Sequence, residues 1–222
     1  MEAEKCAHLL AEYSSSDISD ALAKLGVVGH IPGLVLYSPD TESPFQVCGP
    51  AYTAEFVLKS DTVAPQSDKH HVDTCPSGSV LVIKSPSSAP NAVFGGLMAT
   101  RAGLVRAKGA VIQGRIRDIV ELREMKFPVW AAGQSTLGAA MFVRLSTVGL
   151  PIVLGEKSEW PVTVNNGDII VADNDGVVSV PLDLASSVAH LCKSLRDIDG
   201  KCLIDVKAGV PLVSTFAKHR GK

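Results

Sequence analysis

The chain has 222 residues, 46% of them hydrophobic and 20% charged, with 21 Lys+Arg against 23 Asp+Glu for a formal net charge of −2. This composition excludes a disordered or fibrous chain, and the near-neutral balance argues against a nucleic-acid binder, which normally carries a basic footprint. At this length roughly 70% of the extended chain's surface can be buried, enough for a core without metal or disulfide staples.

The N-terminal stretch MEAEKCAHLLAEYSSSD starts acidic and has no apolar run fit for a signal peptide, and no segment approaches a membrane span. Five scattered cysteines without a C-x-x-C pair fit reduced thiols better than a disulfide framework. The expectation is a soluble, cytoplasmic protein. The length allows one large domain or two small ones, and no repeat, charge block or Gly/Ser linker divides the sequence.

Residues 3–13 read as a helix. A second follows in SSSDISDALAKLG, with Ser16 or Asp17 as N-cap and Gly26 as the stop. Residues 27–50 are punctuated by Pro and Gly and predict short strands and turns. AYTAEFVL (51–58) and SVLVIK (79–84) read as strands. The stretch 91–133 opens on a Gly-Gly pair and a helix of about a dozen residues. A strand, GAVIQG (109–114), comes next, then a short helix from Asp118 and a strand, PVWAAG (128–133). Such alternation predicts a parallel βαβ unit. PIVLG and DIIVADNDGVVSVP return to strands, and a helix over roughly 183–206 closes the chain. The class is α/β or α+β.

Three places can carry chemistry. Gly95 and Gly96 at a helix start leave backbone N–H groups that suit a carboxylate or phosphate, or they simply permit tight packing. On that helix Leu97, Leu104 and Val105 define an apolar stripe that contains Arg101, and an arginine on an apolar face needs an ionic partner or an anionic ligand. GRIRD (114–118) lies at the carboxyl end of a strand, where open α/β sheets bind ligands. There Arg115 and Arg117 alternate onto one face. Asp118 with Glu121 spells a D-x-x-E capping box, which would still leave one carboxylate oxygen for a divalent metal. VADNDGVVSVP resembles a calcium loop only superficially and reads as a hairpin turn. In DKHHVDTC, His70, His71, Asp73 and Cys75 are metal-ligand types, but adjacent histidines in a polar stretch read as solvated loop residues.

FGGLMATRA, GAVIQGRIRDIVELREMKFPVWAAG and NNGDIIVADNDGVVSVP, in that order and at these separations, resemble the RraA-like family, which includes 4-hydroxy-4-methyl-2-oxoglutarate aldolases and regulators of ribonuclease activity. The GGLMATRA wording looks closest to the fungal branch. The resemblance implies a compact α/β sandwich with a swivelling β/β/α core, assembled as trimers or hexamers with interfacial sites. It also implies a divalent-metal-dependent lyase on 2-oxo acids that releases pyruvate, with Mg²⁺ or Mn²⁺ held by Asp118. Arg117 would bind the substrate and its developing negative charge. The N–H groups of Gly95, Gly96, Leu97 and Met98 would hold the pyruvyl carboxylate, and Arg101 and Arg115 would suit further substrate carboxylates. Asp199, on the last helix of a neighbouring subunit, matches the family's acid supplied in trans. One departure concerns Gly96, which stands where the aldolases carry an acid twenty-one positions before the arginine. Its absence favours decarboxylation over retro-aldol cleavage. Two other readings remain: a non-catalytic regulator that binds a protein partner, and a specialised lyase or cyclase of fungal secondary metabolism that uses the room at Gly96 for a bulkier substrate.

Overall fold

The structure, a computed structural model, describes residues 2–40, 42–156 and 158–221. Its helices are α1 (Glu2–Leu10), α2 (Ser15–Lys24), α3 (Gly96–Leu104), α4 (Ile119–Glu124), α5 (Ala185–Lys207) and α6 (Leu212–Arg220). The strands before α3 are β1 (His30–Ile31), β2 (Val35–Ser38), β3 (Gln46–Leu58), β4 (Val80–Lys84) and β5 (Ala92–Phe94). After α3 come β6 (Gly109–Ile116), β7 (Val129–Gln134), β8 (Val143–Val148), β9 (Ile152–Leu154), β10 (Val162–Val164), β11 (Ile169–Asp173) and β12 (Val177–Val180).

Strand β3 organises the fold because it is long enough to serve two neighbourhoods. Its first part pairs antiparallel with β11, from Gln46↔Asp173 to Pro50↔Ile169. Its second part pairs parallel with β4, from Ala51↔Val80 to Glu55↔Lys84, while its end also pairs antiparallel with β8. The main sheet then runs β1-β12-β11-β3-β4-β6-β7-β2, with β5 against β6, and β9 and β10 form a separate hairpin.

Alternation along the strands sorts side chains into separate layers. On β4 and β6, Leu81, Ile83, Ala110 and Ile112 pack under α3 and α4 with Ala99, Ala102 and Leu122. Val80, Val82 and Val111 point the other way and meet Ile170 and Ala172 of β11, Trp130 of β7 and the β9–β10 hairpin. Both halves of the sheet therefore contribute to one enclosed layer, which is how a twisted sheet curls onto itself. The remaining face of β11 and β12 carries Ile169, Val171, Val178 and Val180 against α1, α2 and α5.

The mixed α/β class and the parallel unit over 91–133 match the sequence reading, since β5, β6 and β7 are parallel neighbours. VADNDGVV forms the β11–β12 hairpin as expected. Several details differ. The α2 cap is Ser14, whose side chain accepts from the Asp17 N–H while Asp17 accepts from the Ser14 N–H, so Asp17 is the third helical residue of a complete capping box. Helix α3 has nine residues rather than about a dozen, because Arg106 turns left-handed at φ 61° and breaks the helical ladder. Helix α6 follows Pro211, an N-terminal signal that the sequence reading passed over. Among the described residues, no helix is long and apolar enough to cross a membrane.

Candidate functional site

Strands β5 and β6 end side by side, with Phe94 opposite Ile116 and the Arg117 N–H bonded to the Phe94 carbonyl at 3.0 Å. Beyond their carboxyl ends the chain turns into α3 on one side and α4 on the other, leaving a crevice between two helix starts. Two adjoining cavities, of about 430 and about 130 Å³, share Arg117 and Asp118 as walls. A larger hollow of about 630 Å³ runs along α1, but among the described residues only one face of α1 and Glu12 just beyond it line it.

Asp118 does not cap its own helix. Its backbone is left-handed (φ 60°, ψ 41°), and its side chain makes no capping bond to α4, so the expected D-x-x-E box is absent. Aspartate is among the few residues that tolerate this conformation. The turn swings the carboxylate across to α3, where Oδ2 accepts the Gly96 N–H at 3.0 Å. Arg117 Nε lies 3.4 Å from the same oxygen. Both side chains remain partly open to solvent, at 46% for Arg117 and 34% for Asp118.

The glycines are explained by these neighbours. A Cβ on Gly95 would sit 2.5 Å from Asp118 Oδ2 and 3.0 Å from Arg117 Cγ. At Gly96 a Cβ would fall onto Glu121 Oε2. The room that sequence reasoning left at Gly96 for a bulkier substrate is therefore filled by the chain's own carboxylate. The first intrahelical bond of α3 runs from Ala99 N–H to the Gly95 carbonyl, so the N–H groups of Gly96, Leu97 and Met98 precede the ladder. Asp118 occupies the first of these, and Leu97 and Met98 are among the residues that line the smaller cavity.

The structure thus brings together Gly95, Gly96, Leu97, Met98, Arg117 and Asp118 from the expected set. It places three others elsewhere. Arg101 is not on a buried stripe, because α3 packs through Gly96, Ala99 and Ala102, small residues that allow close approach, while Leu97 and Leu104 are exposed at 82% and 72%. Its Nε instead bonds Asp73 Oδ1 at 2.6 Å, and this bond holds the Asp73 carboxyl below its ordinary pKa. Arg115 turns to the Gln134 carbonyl at 3.2 Å. Asp199, on α5, pairs with Arg220 at 2.6 Å.

Glu121 and the Gly138–Ala139 wall were not read as site residues. For Glu121 the only signal was its place in the capping pattern; for Gly138, whose absent Cβ would lie 3.3 Å from Arg117 Nη1, there was none. The histidine pair was also misjudged. His70 is exposed, but His71 is 2% exposed, stacked on His70 at 4.8 Å and edge-on to Phe56 at 5.4 Å. Burial, with His70 beside it, pushes the His71 pKa down to about 3. Among the described residues, no group of three or more His, Cys, Asp or Glu converges to hold a metal.

A family model described as "RraA-like: Aldolase/RraA" matches residues 15–179. Among curated proteins, Protein DlpA of Legionella pneumophila is 28% identical over 204 residues, covering 91% of this chain but 32% of that protein. The chain thus spans about a third of that relative's length. A Halalkalibacterium halodurans protein named "Putative 4-hydroxy-4-methyl-2-oxoglutarate aldolase" is 29% identical over 154 residues, 69% of each chain. Among solved structures, an uncharacterized Pseudomonas syringae protein superposes with a TM-score of 0.79 at 25% identity over 96% of both chains. Streptomyces coelicolor RraAS2, titled an unusual member of the RNase ES inhibitor RraA protein family, gives 0.76 at 24% identity, covering 88% of this chain and 94% of that one.

Proposed function

The chain belongs to the RraA-like family, and from that premise we propose that it is a divalent-metal-dependent lyase that breaks a carbon–carbon bond of a 2-oxo acid and releases pyruvate. The substrate class is oxaloacetate, 4-hydroxy-4-methyl-2-oxoglutarate, or both, in keeping with the name carried by the Halalkalibacterium relative. The observation that carries this reading is the meeting of Arg117, Asp118 and the start of α3 in one crevice beyond two parallel strand ends.

Oxygen donors are the right chemistry for Mg²⁺ or Mn²⁺, and Asp118 engages Gly96 through Oδ2, which leaves Oδ1 for an ion. With few converging ligands among the described residues, such an ion would keep much of its shell as water, the usual habit of Mg²⁺. Bound there, it would polarise the 2-oxo carbonyl as a Lewis acid.

The chain's own groups supply the rest. The Leu97 and Met98 N–H groups are oriented donors for the substrate carboxylate, with the positive end of α3 behind them. Cleavage pushes an electron pair onto the 2-oxo oxygen, and Arg117 offers a charge there that cannot be lost by deprotonation. In decarboxylation CO₂ leaves and the enolate carbon then takes a proton from solvent to give pyruvate, so little more is needed. Retro-aldol cleavage also needs a base for the hydroxyl proton. We assign that role to Asp199 of a neighbouring copy in a homotrimer or hexamer, where it would exchange its Arg220 partner for the substrate hydroxyl. The exposed Leu97, Leu104 and Val120 on the helices flanking the crevice are apolar surface that a second copy would cover.

The test is pyruvate release from each substrate with and without Mg²⁺, compared with Asp118→Asn. Asparagine keeps the left-handed backbone, so the variant should fold normally and lose Mg²⁺-dependent turnover. Full activity in it would sink the reading. The likeness to RraAS2 supports a second reading, a regulator of a protein partner. Partner binding that resists EDTA, without pyruvate release, would favour that alternative.

A further inference from the structure

Glu121 lies in the first turn of α4, and its carboxylate turns to α3 rather than back to its own helix start. Oε2 occupies the spot a Cβ at residue 96 would take, and Cδ lies 2.9 Å from that spot. Asp118, three residues earlier, reaches the same peptide step, with Oδ2 on the Gly96 N–H at 3.0 Å. Two carboxylates therefore flank one backbone step at the positive end of α3. Arg117 compensates Asp118, but among the described residues no cation pairs with Glu121. Two carboxylates reaching one peptide step concentrate negative charge there, and a divalent cation would offset it.

We propose that Glu121 is the second carboxylate of the Asp118 site, admitted by the absence of a side chain at Gly96, and that it strengthens the site's hold on a divalent cation. The proposal rests on the metal-dependent reading above and extends it to a residue from a different element. It also gives Gly96 a role: the position is empty so that an acid can enter from α4.

The experiment measures Mn²⁺ affinity of the full chain by electron paramagnetic resonance, with no substrate present. Glu121→Gln should weaken binding by roughly tenfold to a hundredfold, the range for losing a supporting carboxylate. Gly96→Ala should do the same. Its new methyl displaces only the far end of a flexible side chain, and alanine suits a helix start, so this variant folds. The double variant should bind no more weakly than either single one, because both remove the same interaction. Glu121→Asp should fall between wild type and Glu121→Gln. If Asp118→Asn loses Mn²⁺ while Glu121→Gln binds it as wild type does, the proposal is overturned and the metal reading stands. Full affinity in Gly96→Ala also overturns it, because Glu121 would then act from another place. A wild-type chain that binds no Mn²⁺, or an Asp118→Asn variant that binds it normally, overturns the metal reading itself.

Discussion

At the scale of single residues, His71 has the largest unspent electrostatic consequence outside the crevice. Neither ring nitrogen has a hydrogen-bond partner among the described residues, and burial lowers its pKa from 6.5 to about 3. Its protonated form therefore prefers the unfolded chain. The sign follows from proton counting: stability is fully present above pH 6.5 and is lost as pH falls toward 3, by up to about 1.4 kcal/mol per pH unit. Denaturant titrations of wild type and His71→Leu between pH 7 and 4.5 check this. The variant should show the shallower dependence by close to one proton, and equal slopes would refute the assignment. Sequence reading missed the burial of His71 because a histidine pair in a polar loop carries no periodicity to say which member turns inward.

Among the elements, the helices on either side of the crevice end in the same way. Arg106 follows α3 at φ 61° and Lys126 follows α4 at φ 52°, both left-handed positions that glycine usually fills. Replacing either by glycine should raise stability by about 0.5–1 kcal/mol, measured as a shift in the urea midpoint, because the steric cost removed exceeds the added chain entropy. Pyruvate release should not change. These helices also show what was legible beforehand. GGLM at a helix start and RD at a strand end were readable because turn chemistry and strand ends are local. The direction of Asp118 was not readable. D-x-x-E predicts a cap, and only the left-handed turn sends the carboxylate to the neighbouring helix. The α3 stripe failed for a related reason: periodicity identifies Leu97 and Leu104 as one face but cannot say that Ala99 and Ala102 are the face that packs.

For the whole molecule, β3 ties the antiparallel and parallel halves into one sheet, and both feed the layer around Trp130. The Trp130 Nε1–H bonds the Asp173 carbonyl at 2.8 Å, joining β7 to β11 directly. Unfolding should accordingly be a single step, with the indole signal and the backbone circular dichroism changing at the same denaturant concentration. Two separated transitions would divide the chain into independent units. The class and the parallel unit were legible from the alternation of apolar runs and helices over 91–133. The curl was not, because nothing local marks that Gln46 will face Asp173. That pairing has a consequence in time. The parallel β4, β6 and β7 are neighbours in sequence as well as in space, whereas β3 and β11 must close a loop spanning much of the chain. Loop closure over such separations is the slow part of folding. The crevice can therefore take shape early, and the rate at which the finished molecule appears is set by a seam remote from its chemistry.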